Sequence, residues 1–187
     1  MRNTLDVDYR QAFMYAPIGM CVSHRRIIQQ ANSALEGMFR YGAGALDGAS
    51  FQVLYPTSDE FERTGERLAP VLNATGQYAD ERIMKRCDGE LFWCRVTGRA
   101  LVPQDPHASG IWTFEDLSAK RPVAPGLTPR EREIATLMAD GKTSKMIARQ
   151  LGLSPRTVEM YRARLMAKYS ATTSSGLIHK LMRPEGG

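Results

Sequence analysis

The residues best placed to do chemistry in this 187-residue chain lie between Ser154 and Lys168. On a helix turning about 100° per residue, Arg156, Met160, Ala163 and Ala167 share one side, flanked by Glu159 and Arg164. Val158, Leu165 and Tyr169 fall in a narrow arc on the other side, with Tyr161 at its edge. A side that is small and polar, rather than solidly charged, suits a helix lying in the major groove of a duplex. Arg156 or Arg164 can donate to a guanine edge, and Glu159 can accept from a cytosine amino group. Met160 and Ala163 can touch a thymine methyl. Thr143, Ser144 and Lys145 open the preceding helix, where backbone N–H groups and short donors suit phosphate contact. Ser154, Thr157, Tyr161 and Lys168 complete the candidate DNA-contact set. Arg162 lies nearer the core side and reads as a phosphate contact or an internal salt bridge.

Other chemistries find less support. Cys21, Cys87 and Cys94 are odd in number and lack C-x-x-C spacing, and His24, His107 and His179 are scattered singly. No metal site assembles from such spacing, and the thiols read as reduced and buried. Neither a nucleophile–base pair, nor a carboxylate pair at useful spacing, nor a phosphate loop is present, so the chain does not read as an enzyme.

The elements that must position the first set are legible from their ends. Thr128-Pro129-Arg130-Glu131 is a capping box with proline at the first helical position. Ile134, Leu137 and Met138 form that helix's apolar stripe, and Gly141 ends it. Thr143 caps a second helix with Ile147, Ala148 and Leu151 inward. Gly152 breaks the chain, and Ser154-Pro155 repeats the cap-plus-proline start. Two short helices around a glycine-containing turn fit helix-turn-helix geometry. Charge agrees. Residues 127–187 carry 11 Lys+Arg against 5 Asp+Glu, whereas residues 1–126 carry 14 against 15. The excess positive charge sits in the last third, which suggests a polyanionic partner for that part alone. A small helical domain for protein contact is the competing reading; the charge and the duplicated helix starts weigh against it.

The segment LTPREREIATLMADGKTSKMIARQLGLSPRTVEMYRARLMAKY is similar, nearly end to end, to the LuxR-type DNA-binding domain of bacterial regulators. The resemblance covers about a third of the chain. It implies a four-helix domain whose third helix reads the major groove and whose last helix dimerises. Here that last helix is Ser174 to Met182, with Leu177, Ile178, Leu181 and Met182 available for the contact. Tyr161 is a departure, since many members carry histidine there.

Ahead of the linker at 119–126 (AKRPVAPG), the pattern is mixed. Short helices are expected at Tyr9–Ala16 and Ala31–Phe39, a longer one at Ser58–Asn73, and strands at Ile18–Val22 and Arg26–Gln30. Gln77–Cys87 and Glu90–Leu101 read as a hairpin about Asp88-Gly89, because Asp-Gly supplies the positive φ angles of a two-residue type I′ turn. That register sets Cys87 opposite Glu90 and Ile83 opposite Cys94. Gly110–Leu117 is the last strand. The expectation is an α+β domain on a five-stranded antiparallel sheet, followed by the all-α domain: 1–118, a linker at 119–126, then 127–187.

This front part resembles the PAS sensor fold. The likeness rests on Ala16-Pro17-Ile18-Gly19-Met20, Asn32-Ser33-Ala34, the stretch Phe39 to Gly48, Asp88-Gly89, and Phe114-Glu115-Asp116-Leu117-Ser118. Ala45 departs from it, at a position that is often acidic. PAS domains commonly enclose a small pocket. The resemblance implies a lining drawn from Met20, Leu35, Phe39, Leu54, Leu72, Ile83, Phe92, Cys94, Trp112 and Phe114, with a simply filled apolar core as the alternative. No cofactor is evident. The long helix holds no histidine for haem, which leaves His24 a distant option, and no cysteine lies between Ala31 and Arg86 for a flavin.

A phosphorylated receiver domain fails at the front, because Asp6 and Asp8 precede any apolar strand and the only lysines are Lys85 and Lys120. The reading is a dimeric, sequence-specific transcription regulator that binds double-stranded DNA and is modulated by a small ligand or partner at the PAS domain. RNA polymerase is a further partner to consider. The alternatives are a sigma-type promoter-recognition factor, or a constitutive DNA binder whose PAS domain only dimerises. No apolar run approaches a bilayer span, and MRNTLDVDYR lacks a signal peptide's apolar stretch, so a cytoplasmic protein is expected.

Overall fold

The structure is a computed structural model that describes residues 8–102, 104–105, 108–124 and 126–182. Asp6, His107, Pro125 and the Met182 side chain, weighed above, lie outside the described residues, as do both chain ends at 1–7 and 183–187.

Five strands form one antiparallel sheet: β1 (Gly19–His24), β2 (Ile27–Ala31), β3 (Gln77–Lys85), β4 (Leu91–Ala100) and β5 (Ser109–Asp116), in the order β2-β1-β5-β4-β3. Helices α1 (Tyr9–Met14), α2 (Ser33–Phe39) and α3 (Ser58–Thr75) belong to this half. The remaining four, α4 (Pro129–Ala139), α5 (Ser144–Leu151), α6 (Pro155–Lys168) and α7 (Ser174–Met182), follow it. Buried Asn32 ties α2 to β1. Its Oδ1 accepts from Met20 N at 2.8 Å and Leu35 N at 2.9 Å, while its amide donates to the Phe13 and Ile18 carbonyls. That one side chain caps the helix and holds the strand entry.

The β3–β4 hairpin differs from expectation by one residue. Ile83 pairs with Trp93 and Met84 with Phe92, so the loop holds three residues, Cys87-Asp88-Gly89, with a turn bond from Gly89 N to Arg86 O at 3.0 Å. Gly89 takes a φ of +90°, the left-handed residue that closes a three-residue loop. Because side chains alternate, this single slip turns Ile83 to the opposite face and puts Arg82 and Met84 on the inner one.

The helical half begins where its caps foretold. Both arms of the Thr128–Glu131 capping box are formed, Thr143 accepts from Met146 N, and Ser154 accepts from Thr157 N at 3.0 Å. Gly152 ends α5 in the left-handed region, at φ +63°.

Two apolar cores result. One fills the sheet's inner side, around Phe39, Leu54, Phe92 and Phe114. The other belongs to the helical half, around Ile134, Leu137, Ile147, Val158, Leu165, Leu177 and Leu181, and it also takes in Ile83, Trp93 and Leu117 from the sheet. The helical half is therefore docked on the first half. Ion pairs cross the junction beside that apolar contact. Arg132 meets Glu60 at 2.6 Å, both buried, Arg63 meets Glu133, and Arg67 stands 3.8 Å from Asp140. Residues 119–124, expected to be linker, are pinned as well. Arg121 is buried, pairs with Glu81 and lies over the Trp93 ring, while Val123 and Ala124 pack on the helical core.

Candidate nucleic-acid interface and internal cavity

The third helix of the trio, α6, is held from behind. Val158 and Leu165 are wholly buried against the other helices, and Tyr161 and Tyr169 pack at the border of the same core. This anchoring leaves Arg156, Glu159, Met160, Ala163, Arg164 and Ala167 exposed on one side. Met160 keeps 48% of its surface in solvent. Arg164 lies over the Tyr161 ring at 5.5 Å, which orients its guanidinium along the helix. Arg162 makes an i,i+3 pair with Glu159 at 3.7 Å, which supports the salt-bridge reading of that arginine. Thr143 and Lys145 are exposed at the start of α5 and Ser144 is half-buried there; Ser154 and Thr157 bond each other at the start of α6.

Lys168 is exposed but already engaged within the domain. Its ammonium donates to Gly126 O and to Glu131 at 2.6 Å, locking the first-helix cap to the end of α6. Leu177 and Leu181 are fully buried within the helical core, so they are unavailable to a second chain, and of the named α7 residues described only Ile178 retains exposure.

A half-open cavity of about 620 Å³ lies in the first half, with the exposed Arg25, Glu66 and Asp105 among its lining residues. Leu72, Trp112 and Phe114 line it as expected, joined by Ser23, Phe51, Tyr55, Phe61, Arg82, Met84 and Val96. Met20, Leu35, Phe39, Leu54, Phe92 and Cys94 do not line it. All of these but the half-buried Met20 are packed in the inner core, and Ile83 faces the helical half because of the hairpin register. Burial pushes the Cys21 and Cys94 thiols well above the ordinary cysteine range, leaving them protonated and inert. Cys87, by contrast, is exposed, which corrects the expectation that all three thiols are buried. Among the described residues no cluster suited to a metal ion occurs, and no helix is long and apolar enough to cross a membrane.

Gly98 shapes the cavity wall. A Cβ there would overlap Trp112 Cζ3 and Cε3 on the neighbouring strand. Trp112 stands in that space with its Nε1 donating to Ser23 Oγ at 2.9 Å. Gly98→Ala is expected to displace the indole and cost about 1–3 kcal/mol of stability, read by chemical denaturation together with a changed Trp112 fluorescence.

Residues 16–119 match the model of the PAS domain, and residues 125–181 match that of the bacterial regulatory proteins of the luxR family. A PAS domain of a LuxR-family transcriptional regulator from Burkholderia thailandensis, solved in complex with ethanol, is 59% identical. It aligns with a TM-score of 0.58 over 60% of this chain and 99% of that one. The sensor protein TdiS of Thauera aromatica is 34% identical over 110 residues, 59% of this chain and 20% of TdiS. VqmA of Vibrio cholerae, 24% identical, shares the fold over 94% of this chain and 86% of its own, with a TM-score of 0.55. The chain spans less than half the length of the curated relatives it matches.

This is a PAS-domain protein. More particularly, it belongs to the bacterial transcriptional regulators in which a PAS sensory domain precedes a LuxR-type helix-turn-helix DNA-binding domain. The sigma-factor alternative needed a helical, DNA-melting domain upstream, and the five-stranded sheet stands in that place.

Proposed function

We propose that the chain acts as a dimer, reads a specific duplex sequence through α6, and is modulated by a small ligand in the PAS cavity. The observation that carries this is the exposed Arg156–Glu159–Met160–Ala163–Arg164 side of a helix whose other side is buried. Thr143, Ser144 and Lys145 at the start of α5, with Ser154 and Thr157, take the phosphates on either side. The assigned parts are 1–118 for sensing, 119–126 for connection and 127–187 for DNA. RNA polymerase is the further partner through which such a protein would act. Dimerisation draws support from VqmA, whose structure is that of a dimer, and ligand modulation from the cavity together with the ethanol complex of the Burkholderia PAS domain. That cavity also favours a ligand-responsive protein over a constitutive binder whose PAS domain only dimerises.

The contacts separate by their response to salt and sequence. Lys145→Ala is expected to weaken binding to all duplexes alike and to lower the slope of log K against log salt by about one. Glu159→Ala is expected to relax discrimination at one base position by about 1–3 kcal/mol while leaving the salt slope unchanged. Titrations of a selected operator and its single-base variants at several salt concentrations measure both. Unchanged binding in both variants overturns the docking of α6.

A further inference from the structure

Arg82 stands between two cavities. It lines the internal cavity and also a second cleft of about 550 Å³ at the junction, which α3 shares with Glu133, Thr136 and Leu137 of α4 and with the end of α5. Tyr55 and Glu66 line both as well, so these three side chains form the partition. The guanidinium is fully buried. Its Nε and Nη2 donate to Asp80 Oδ1, and its Nη1 donates to the Tyr55 hydroxyl. A guanidinium has five N–H donors. Among the described residues three are engaged, which leaves two for an occupant of the cavity.

The partner of Arg82 leads directly to the DNA-binding half. Asp80 Oδ2 accepts from Arg67 Nη2 at 3.0 Å and from the Tyr78 hydroxyl at 2.7 Å. The other arm of Arg67 lies 3.8 Å from Asp140, the residue that ends α4. Four charges thus run in line, Arg82–Asp80–Arg67–Asp140, from the cavity to the helix-turn-helix domain. The last link is the longest. Burial, with Asp80 nearby, pushes the Asp140 carboxyl up to about 6, so its charged form leans on Arg67.

We infer that the cavity takes an uncharged aromatic or alicyclic molecule whose acceptor atom engages Arg82, and that this contact loosens the helix-turn-helix domain from the PAS domain through Asp80 and Arg67. The inference rests on the ligand-responsive reading above. The walls supply the first part of the specificity, with Phe51, Phe61, Trp112 and Phe114 offering ring faces and edges. An acceptor matches the two open donors, whereas a donor-only amine would leave them unpaired. A neutral occupant fits better than a carboxylate because the charged lining is already balanced, with Asp80 offsetting Arg82 and with Glu66 and Asp105 standing against Arg25 and Arg26. An acceptor on the open donors shares the Arg82 charge and weakens its hold on Asp80, Asp80 then holds Arg67 more tightly, and the Arg67–Asp140 contact lengthens.

Acetophenone, with ethylbenzene as its acceptor-free counterpart and benzylamine as its cationic one, tests this on the full chain. Calorimetric titration is expected to show acetophenone binding roughly tenfold or more tightly than either. Arg82→Met is expected to abolish that preference. Tyr55→Phe, which leaves Arg82 and Asp80 in place, is expected to fold normally and keep it, so loss through misfolding is distinguishable from loss of the donor. Hydrogen exchange along α4 is expected to rise on acetophenone binding in the wild type. In Asp140→Asn it should already be high without the ligand, and acetophenone should not raise it further. Failure of acetophenone to bind at millimolar concentration, or a preference that survives Arg82→Met, overturns the ligand class. Binding without a change at α4 overturns the relay. Each of these failures leaves the salt and base-substitution responses of Lys145→Ala and Glu159→Ala intact, so they are separate from a failure of the DNA-binding reading.

Discussion

The wild-type protein is expected to unfold in one thermal transition, and Arg132→Ala to split it into two and to destabilise the protein by about 3–5 kcal/mol, the range for breaking one partner out of a buried ion pair. The effect is large because of what remains. Glu60 is buried, and burial already raises its carboxyl above the usual range in spite of the neighbouring guanidinium. Without Arg132 that carboxylate keeps, among the described residues, the Thr57 hydroxyl as its side-chain donor, and the Leu127 carbonyl loses the donor that closes the start of the helical half. Relief comes from undocking, which returns Glu60 to water. Differential scanning calorimetry reads the two transitions directly, and a single unsplit transition at the wild-type temperature would show that the junction carries no coupling. Glu60→Gln serves as the companion. It removes the charge that Arg132 compensates while keeping a hydrogen-bonding group, so its effect should be smaller.

Leu165→Ala is expected to cost about 2–5 kcal/mol by leaving a cavity behind the recognition helix. Leu165 is wholly buried in the cluster that also holds Val158 and Ile134. The expected signature is selective. DNA binding at physiological temperature should fall with the melting of α6, while acetophenone binding in the PAS cavity should persist, since that cavity shares no lining residue with the helical core. Loss of both together would mean that the two halves cannot hold their structure independently.

What was legible in the sequence was local. Helix starts announce themselves because the capping side chain, the proline and the return glutamate lie within four residues, as at Thr128–Glu131, and the exposed and buried sides of α6 follow from angle alone. The five-stranded antiparallel sheet was legible from the strand patterns, and its PAS character through resemblance. The cavity lining was not, and one cause is a single turn. Asp-Gly suits both two- and three-residue loops, and the choice between them decides whether Ile83 or Arg82 faces inward. The docked junction was invisible for a different reason. Glu60, Arg63, Arg67, Arg132, Glu133 and Asp140 each read as an ordinary solvated charge on its own helix, and only long-range packing shows that they face one another. The Lys168–Glu131 pair was hidden in the same way, since the two residues lie far apart in the sequence and each reads alone as a solvated charge.

Because Arg121 is clamped between Glu81 and the Trp93 ring, the segment joining the halves is a strut and not a tether. Two such chains paired through the proposed dimer would hold their reading heads at a set separation and rotation, like the jaws of a caliper. Operators would then be selected by geometry as well as by letters. Inserting about five base pairs between half-sites turns one of them to the far side of the duplex. For a caliper of this stiffness that insertion should abolish binding as thoroughly as scrambling a half-site, and loosening the strut should restore it.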